Sequence, residues 1–138
     1  MIPIQVAAIE ETYTDLAADS WRRRTGREAL AEAFQECSAP DWDGYGASPA
    51  DPLSASWACD VVAPLLPILG LPHYSFDPDG DVLLEWHLAE DRVLDLSVGA
   101  NGEVRYSAVI GGSRMTGIEQ FAEGLPLGLL SVARGLAQ

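Results

Sequence analysis

The sequence predicts an α+β domain: a four-stranded antiparallel meander with helices packed on one face, in the order α-α-β-β-β-β-α. Three observations predict it. Apolar residues recur at helical spacing before Pro72 and at every second position after it. Asp79-Gly80 and Asn101-Gly102 punctuate the alternating part in the manner of hairpin turns. The 138 residues, 48% of them apolar, suffice for one buried core but not two, so residues 1–138 are read as one domain. Within it, 1–39 form an N-terminal helical segment, and 40–138 supply a helix, the meander and a closing helix.

The N-terminal segment shows Ile9, Tyr13, Leu16 and Ala17 at helical spacing, a pattern that fades at Arg22-Arg23-Arg24. Thr25-Gly26-Arg27-Glu28 then has capping-box form, followed by an apolar stripe of Ala29, Leu30, Ala33, Phe34 and Cys37. This is either a second helix or a continuation after a kink, and Ser38-Ala39-Pro40 ends it. Residues 40–52 form a loop dense in turn residues and aromatics. Asp51 is placed to cap the next helix, with Pro52 at its first position. Leu53, Trp57, Val61 and Leu65 mark one face of that helix. Pro64 lacks the amide hydrogen that would bond Asp60 and is expected to kink or end it.

Four alternating runs follow: Tyr74 and Phe76; Val82, Leu84, Trp86 and Leu88; Leu94, Leu96 and Val98; and Val104, Tyr106, Ala108 and Ile110. A two-residue Asn101-Gly102 loop would set Val98 against Arg105, a core residue against a charge. A three-residue loop, Ala100-Asn101-Gly102 with Gly102 left-handed, pairs Val98 with Val104 and Leu96 with Tyr106. Pro78-Asp79-Gly80 fits the same loop, pairing Phe76 with Val82 and Tyr74 with Leu84. The middle hairpin, through Glu90-Asp91-Arg92, is expected to pair Trp86 with Leu96. Gly111-Gly112-Ser113-Arg114 reads as a loop, 117–124 is ambiguous, and Pro126 opens a helix with Leu129, Leu130, Ala133 and Leu136 inward.

Charge is unevenly distributed along the chain. The eight basic residues are all Arg, against 21 acids, and residues 28–91 hold thirteen acids and no base. The flanking segments 1–27 and 92–138 are each neutral, so the net charge of −13 belongs entirely to the central stretch. Such a field repels phosphate backbones and anionic lipid, which disfavours nucleic acid and membrane as partners. A basic protein surface is its natural complement. Solubility alone is the plainer reading.

Cys37 and Cys59 lack metal or redox spacing and lie in helical patterns, so buried free thiols in a reducing compartment are expected. Met1-Ile2-Pro3-Ile4-Gln5 does not resemble a secretory leader. The longest apolar run, Val61–Leu71, is too short to span a bilayer. A cytoplasmic location is the expectation.

The expected register sets His73, Glu85, Ser97 and Arg105 in one row of the outer sheet face, and His87, Asp95 and Ser107 in the next. Asp95, His87 and Ser107 have triad composition, but the imidazole must stand between acid and hydroxyl, whereas here Asp95 holds the middle strand. His73, Glu85 and His87 lie within reach of a two-His-one-carboxylate metal site, with Asp77, Asp79 and Asp81 in the adjoining turn. A solvated polar face with an acid-built turn is the alternative. Asp41-Trp42-Asp43-Gly44-Tyr45-Gly46-Ala47 is the least generic stretch. Its aromatics are either anchors for a partner or pins holding a crossing loop to the core. No Lys-Ser follows its glycines, so it is not a phosphate loop. Arg22-Arg23-Arg24 reads as a solvated or internally paired helix end.

That stretch, together with Pro78-Asp79-Gly80-Asp81-Val82-Leu83-Leu84-Glu85-Trp86 and Gly111-Gly112-Ser113-Arg114-Met115-Thr116-Gly117, resembles a family of small bacterial proteins with no assigned activity. The resemblance covers roughly residues 40–137 and leaves the first forty outside it. It implies bacterial origin and a single intracellular domain, and brings no catalytic residues.

Two functions are therefore expected from different classes. The first is a non-enzymatic acidic module that binds a basic protein surface through Asp41, Trp42, Asp43, Tyr45 and Asp51, as an antitoxin, immunity or anti-defence inhibitor would. The second is a metal-binding domain or metal-dependent enzyme using His73, Glu85 and His87. No cofactor loop is present in the sequence, and no cofactor is expected.

Overall fold

The computed structural model describes residues 24–138, so the expected helix around Ile9–Ala17, together with Arg22 and Arg23, lies outside the described residues. The elements are α1 (24–36), α2 (Pro52–Leu69), β1 (His73–Phe76), β2 (Val82–Ala89), β3 (Arg92–Val98), β4 (Glu103–Ile110), β5 (Ser113–Gln120) and α3 (Leu127–Ala137). The class is α+β and the sheet is an antiparallel meander, but it has five strands in the order β1-β2-β3-β4-β5 rather than four.

Helix α1 already includes Thr25 and Gly26, so the capping-box motif does not start a helix. Leu30 and Cys37 are buried, and the ring of Phe34 meets Phe76 edge-on at 5.9 Å, which seats α1 beside β1. Asp51 caps α2 as its sequence requires, accepting a hydrogen bond from the Leu53 N–H, with Pro52 first in the helix. The helix nevertheless runs through Pro64 and Pro67 to Leu69. Both prolines face solvent, the side on which a lost helical hydrogen bond costs least, while Val61, Val62, Leu65, Leu66 and Leu69 bury the opposite side. This buried stripe begins at Ser54 and Ala58, which leaves Leu53 and Cys59 exposed, contrary to expectation. Helix α2 also has the length and apolarity of a membrane span, but here that apolar side is part of the core.

Two indoles fasten α2 to the sheet. The Nε1–H of Trp86 donates to the Gly70 carbonyl at 2.9 Å, and that of Trp57 to the Ala100 carbonyl at 3.1 Å. On the same face, α3 buries Leu129, Ala133 and Leu136, while Leu130 is only half-buried. The guanidinium of Arg92 donates to the Leu136 carbonyl, a cation where the helix dipole is negative. The core is one cluster formed between these helices and the inward positions Val82, Leu84, Trp86, Leu94, Leu96, Val98, Val104 and Ala108.

The outer hairpins have the expected register: Phe76 faces Val82, Tyr74 faces Leu84, Val98 faces Val104 and Leu96 faces Tyr106. Gly80 and Gly102 are left-handed, at φ 91° and 81°. The middle hairpin differs. Trp86 faces Leu94 rather than Leu96, because the turn is the two-residue Glu90-Asp91, closed by Ala89 opposite Arg92. Such a turn alone would set Trp86 against Asp95. A bulge between His87 and Ala89 absorbs Leu88, leaves it exposed and returns the core residues to the inner face.

The fifth strand pairs with β4 throughout its length across a Gly111-Gly112 turn. It lacks alternation because it is an edge strand exposed on both faces. Gly117 allows it to lie against the Tyr106 ring, which a Cβ would strike.

Candidate functional site

The turns define two ends of the sheet; six aspartates gather at one of them, while Glu90 and Asp91 form a turn at the other and Glu28, Glu32, Glu36 and Asp60 lie on the helices. The loop after α1 folds back onto the β1–β2 turn. The Ser48 N–H donates to the Pro78 carbonyl at 2.7 Å, and the Asp51 N–H to the Gly80 carbonyl at 2.9 Å. These bonds bring Asp41, Asp43 and Asp51 to the same end as Asp77, Asp79 and Asp81, residues distant in sequence. Desolvation raises the Asp81 carboxyl above its ordinary value, and the charges of Asp77, Asp79 and Asp51 add to the shift. The hydroxyl of Ser54, fully buried and without a partner in good hydrogen-bond geometry, pulls the other way. Arg105 lies near enough to feel Asp81, but its Nε is bonded to Glu103 at 2.8 Å.

Several of these acids also build the backbone. Asp41 has φ 60°, and one of its oxygens accepts the Gly46 N–H. One Asp43 oxygen accepts the N–H groups of Tyr45 and Ala47, and one Asp77 oxygen accepts those of Asp79 and Asp81. Trp42 packs against the core and donates its Nε1–H to the Ser48 carbonyl, closing the loop on itself. Of the two loop aromatics, Trp42 is thus a pin. Tyr45 is 93% exposed and projects from a loop made rigid by its own aspartates. The five residues singled out in sequence (Asp41, Trp42, Asp43, Tyr45 and Asp51) therefore share one end of the molecule in unequal roles. In sequence, Asp77, Asp79 and Asp81 group with the sheet face, because nothing local announces the Ser48–Pro78 contact.

On the outer sheet face the corrected register gives a row of His73, Glu85, Asp95, Ser107 and Thr116. Asp95 therefore faces Glu85 directly, and His87 faces Val93. His87 reaches diagonally to Asp95, with Nε2 3.3 Å from Oδ1, and His73 Nδ1 lies 4.0 Å from Glu85 Oε2. Asp95 and Ser107 are cross-strand partners, so the acid stands between imidazole and hydroxyl, an order unsuited to a triad.

A small groove between α1 and α2 is lined by Gly26, Arg27, Leu30, Cys59, Val62 and Tyr74. Burial pushes the Tyr74 hydroxyl up to about 12. Desolvation also raises the Cys59 thiol, against the lowering influence of Arg27, and burial with Glu36 raises that of Cys37. Both shifts favour the thiol over the thiolate.

Compared with known proteins, the chain matches no family profile, no curated protein and no solved structure.

Proposed function

We propose that this chain is a non-enzymatic docking module whose acidic end, with Tyr45 at its tip, binds a basic protein surface. The observation that carries this reading is the pair of hydrogen bonds, Ser48 to Pro78 and Asp51 to Gly80, that merges two acidic segments beside an exposed tyrosine. Six carboxylates at one end attract a cationic partner over a Debye length, and a rigid aromatic supplies contact area at low entropic cost. An inhibitor of a nucleic-acid-binding protein, of the antitoxin, immunity or anti-defence type, suits this arrangement, with carboxylates standing where phosphates would.

The test is a fluorescence-anisotropy titration of the full chain against an arginine-rich peptide across a salt series. Affinity is expected to fall roughly tenfold or more between about 0.05 and about 0.5 M salt. Tyr45→Ala and Asp79→Asn, two side chains with no backbone duty, should each weaken binding without altering the melting temperature. An affinity insensitive to salt and to both substitutions contradicts the reading.

A further inference from the structure

The geometry points to a divalent transition-metal site on the outer sheet face, held by Glu85, His87 and Asp95, apart from the acidic end. It follows from the two-residue Glu90-Asp91 turn and the bulge at Leu88, which together move β3 by two residues relative to the register expected from sequence. That shift sets Glu85 directly opposite Asp95, a cross-strand pair of like charges that disfavours the sheet unless something cationic lies between them. From its diagonal position His87 still reaches that carboxylate, with Nε2 3.3 Å from Asp95 Oδ1.

One donor atom from each of the three side chains lies within 4.8 Å of the other two. Donors sharing a zinc ion at roughly 2.1 Å stand at most about 4.2 Å apart, and about 3.4 Å apart in a tetrahedron. The His87–Asp95 separation of 3.3 Å already has that span. Glu85, its donor within 4.8 Å of the other two, joins them by side-chain rotation, and among the described residues all three side chains keep more than a third of their surface open to solvent. One imidazole nitrogen and two carboxylate oxygens suit zinc or manganese rather than calcium or magnesium, which favour all-oxygen shells. The open face leaves water to complete the coordination. His73 stands on the far side of Glu85, with Nδ1 4.0 Å from Oε2, and acts as a positioning residue that orients this ligand. The ion would cross-link β2 to β3 next to the bulge.

The test is calorimetric titration of untagged, demetallated full-length protein with zinc chloride, alongside thermal melts with and without zinc. One zinc per chain and a raised melting temperature are expected. His87→Ala, Asp95→Asn and Glu85→Gln should each weaken binding about tenfold or more and abolish the thermal shift, and His73→Ala should weaken it less. Melting of each metal-free variant at the parent temperature verifies that the fold is intact. The proposal is overturned by any of three results: no zinc uptake, uptake that survives both His87→Ala and Asp95→Asn, or uptake lost instead on Cys37→Ser or Cys59→Ser. An equal thermal shift with magnesium would likewise exclude the imidazole as a ligand. Failure here leaves peptide binding at the acidic end untouched, because that reading uses none of these side chains.

Discussion

The two ends of the sheet are built by different means. At the acidic end, the β1–β2 and β3–β4 connections are three-residue loops, each finishing on a left-handed glycine. Each loop is fastened to α2 or its cap, Gly80 through Asp51 and Ala100 through Trp57. At the other end, Glu90-Asp91 and Gly111-Gly112 are two-residue turns, tied to one another by the Gly111 N–H and the Asp91 carbonyl at 2.9 Å. Nothing within 4 Å would obstruct a Cβ at either Gly111 or Gly112. The first end is a fixed platform that holds charges in place. The second is a sparsely packed rim. A recognition surface that must present carboxylates and one aromatic at set positions belongs on the first.

The largest effect that separates the two ends is expected at Gly80. A Cβ there would lie 2.6 Å from the Pro49 carbonyl oxygen on a left-handed backbone, so both sterics and φ oppose it. Gly80→Ala should cost about 2–4 kcal/mol in chemical denaturation and detach the loop from the turn. An effect below about 1 kcal/mol would mean that the platform is not rigid.

A smaller effect, of opposite sign, is expected at Asp81. Its carboxyl is raised in the folded protein, chiefly by desolvation and then by its acidic neighbours, so the folded state holds this proton more tightly than the unfolded chain. Stability from this group therefore falls as pH climbs from the unfolded to the folded pKa and stays lower above it. Asp81→Asn should melt higher than the parent at neutral pH, and the difference should vanish in acid. A variant that melts lower at neutral pH contradicts the crowding of carboxylates.

The smallest effect belongs to the rim. Gly112→Ala has an ordinary φ and open space, and should change stability by no more than about 0.5 kcal/mol.

The same contrast governs how much could be read from sequence. Asp51-Pro52 announced the start of α2, and the left-handed glycines at 80 and 102 fixed two registers, because in each case one local residue type has one conformational use. The rim was less legible. A bulge is a compensation between a tight turn and a buried face, visible only when both are known, so sequence alone pairs Trp86 with Leu96 where the fold pairs it with Leu94. The strand from Ser113 to Gln120 escaped notice because an edge exposed on both faces carries no apolar alternation, although Gly111-Gly112 was a usable hairpin signal. Of the candidate site, the unusual loop was visible in sequence. Its union with the Asp77–Asp81 turn was not, since backbone hydrogen bonds between Ser48 and Pro78 leave no trace in residue type. The tight turn and the bulge also rearrange the outer face: Asp95, expected in a row with His87, stands opposite Glu85 instead and keeps His87 as a diagonal neighbour.

The most direct measurement is amide chemical-shift mapping of isotopically labelled protein titrated with the arginine-rich peptide. The account places the perturbed signals in residues 41–51 and 77–81, with Tyr45 prominent, and leaves residues 88–92 and 110–114 unmoved. Shifts spread evenly over the surface, or centred on the two-residue turns, would contradict it.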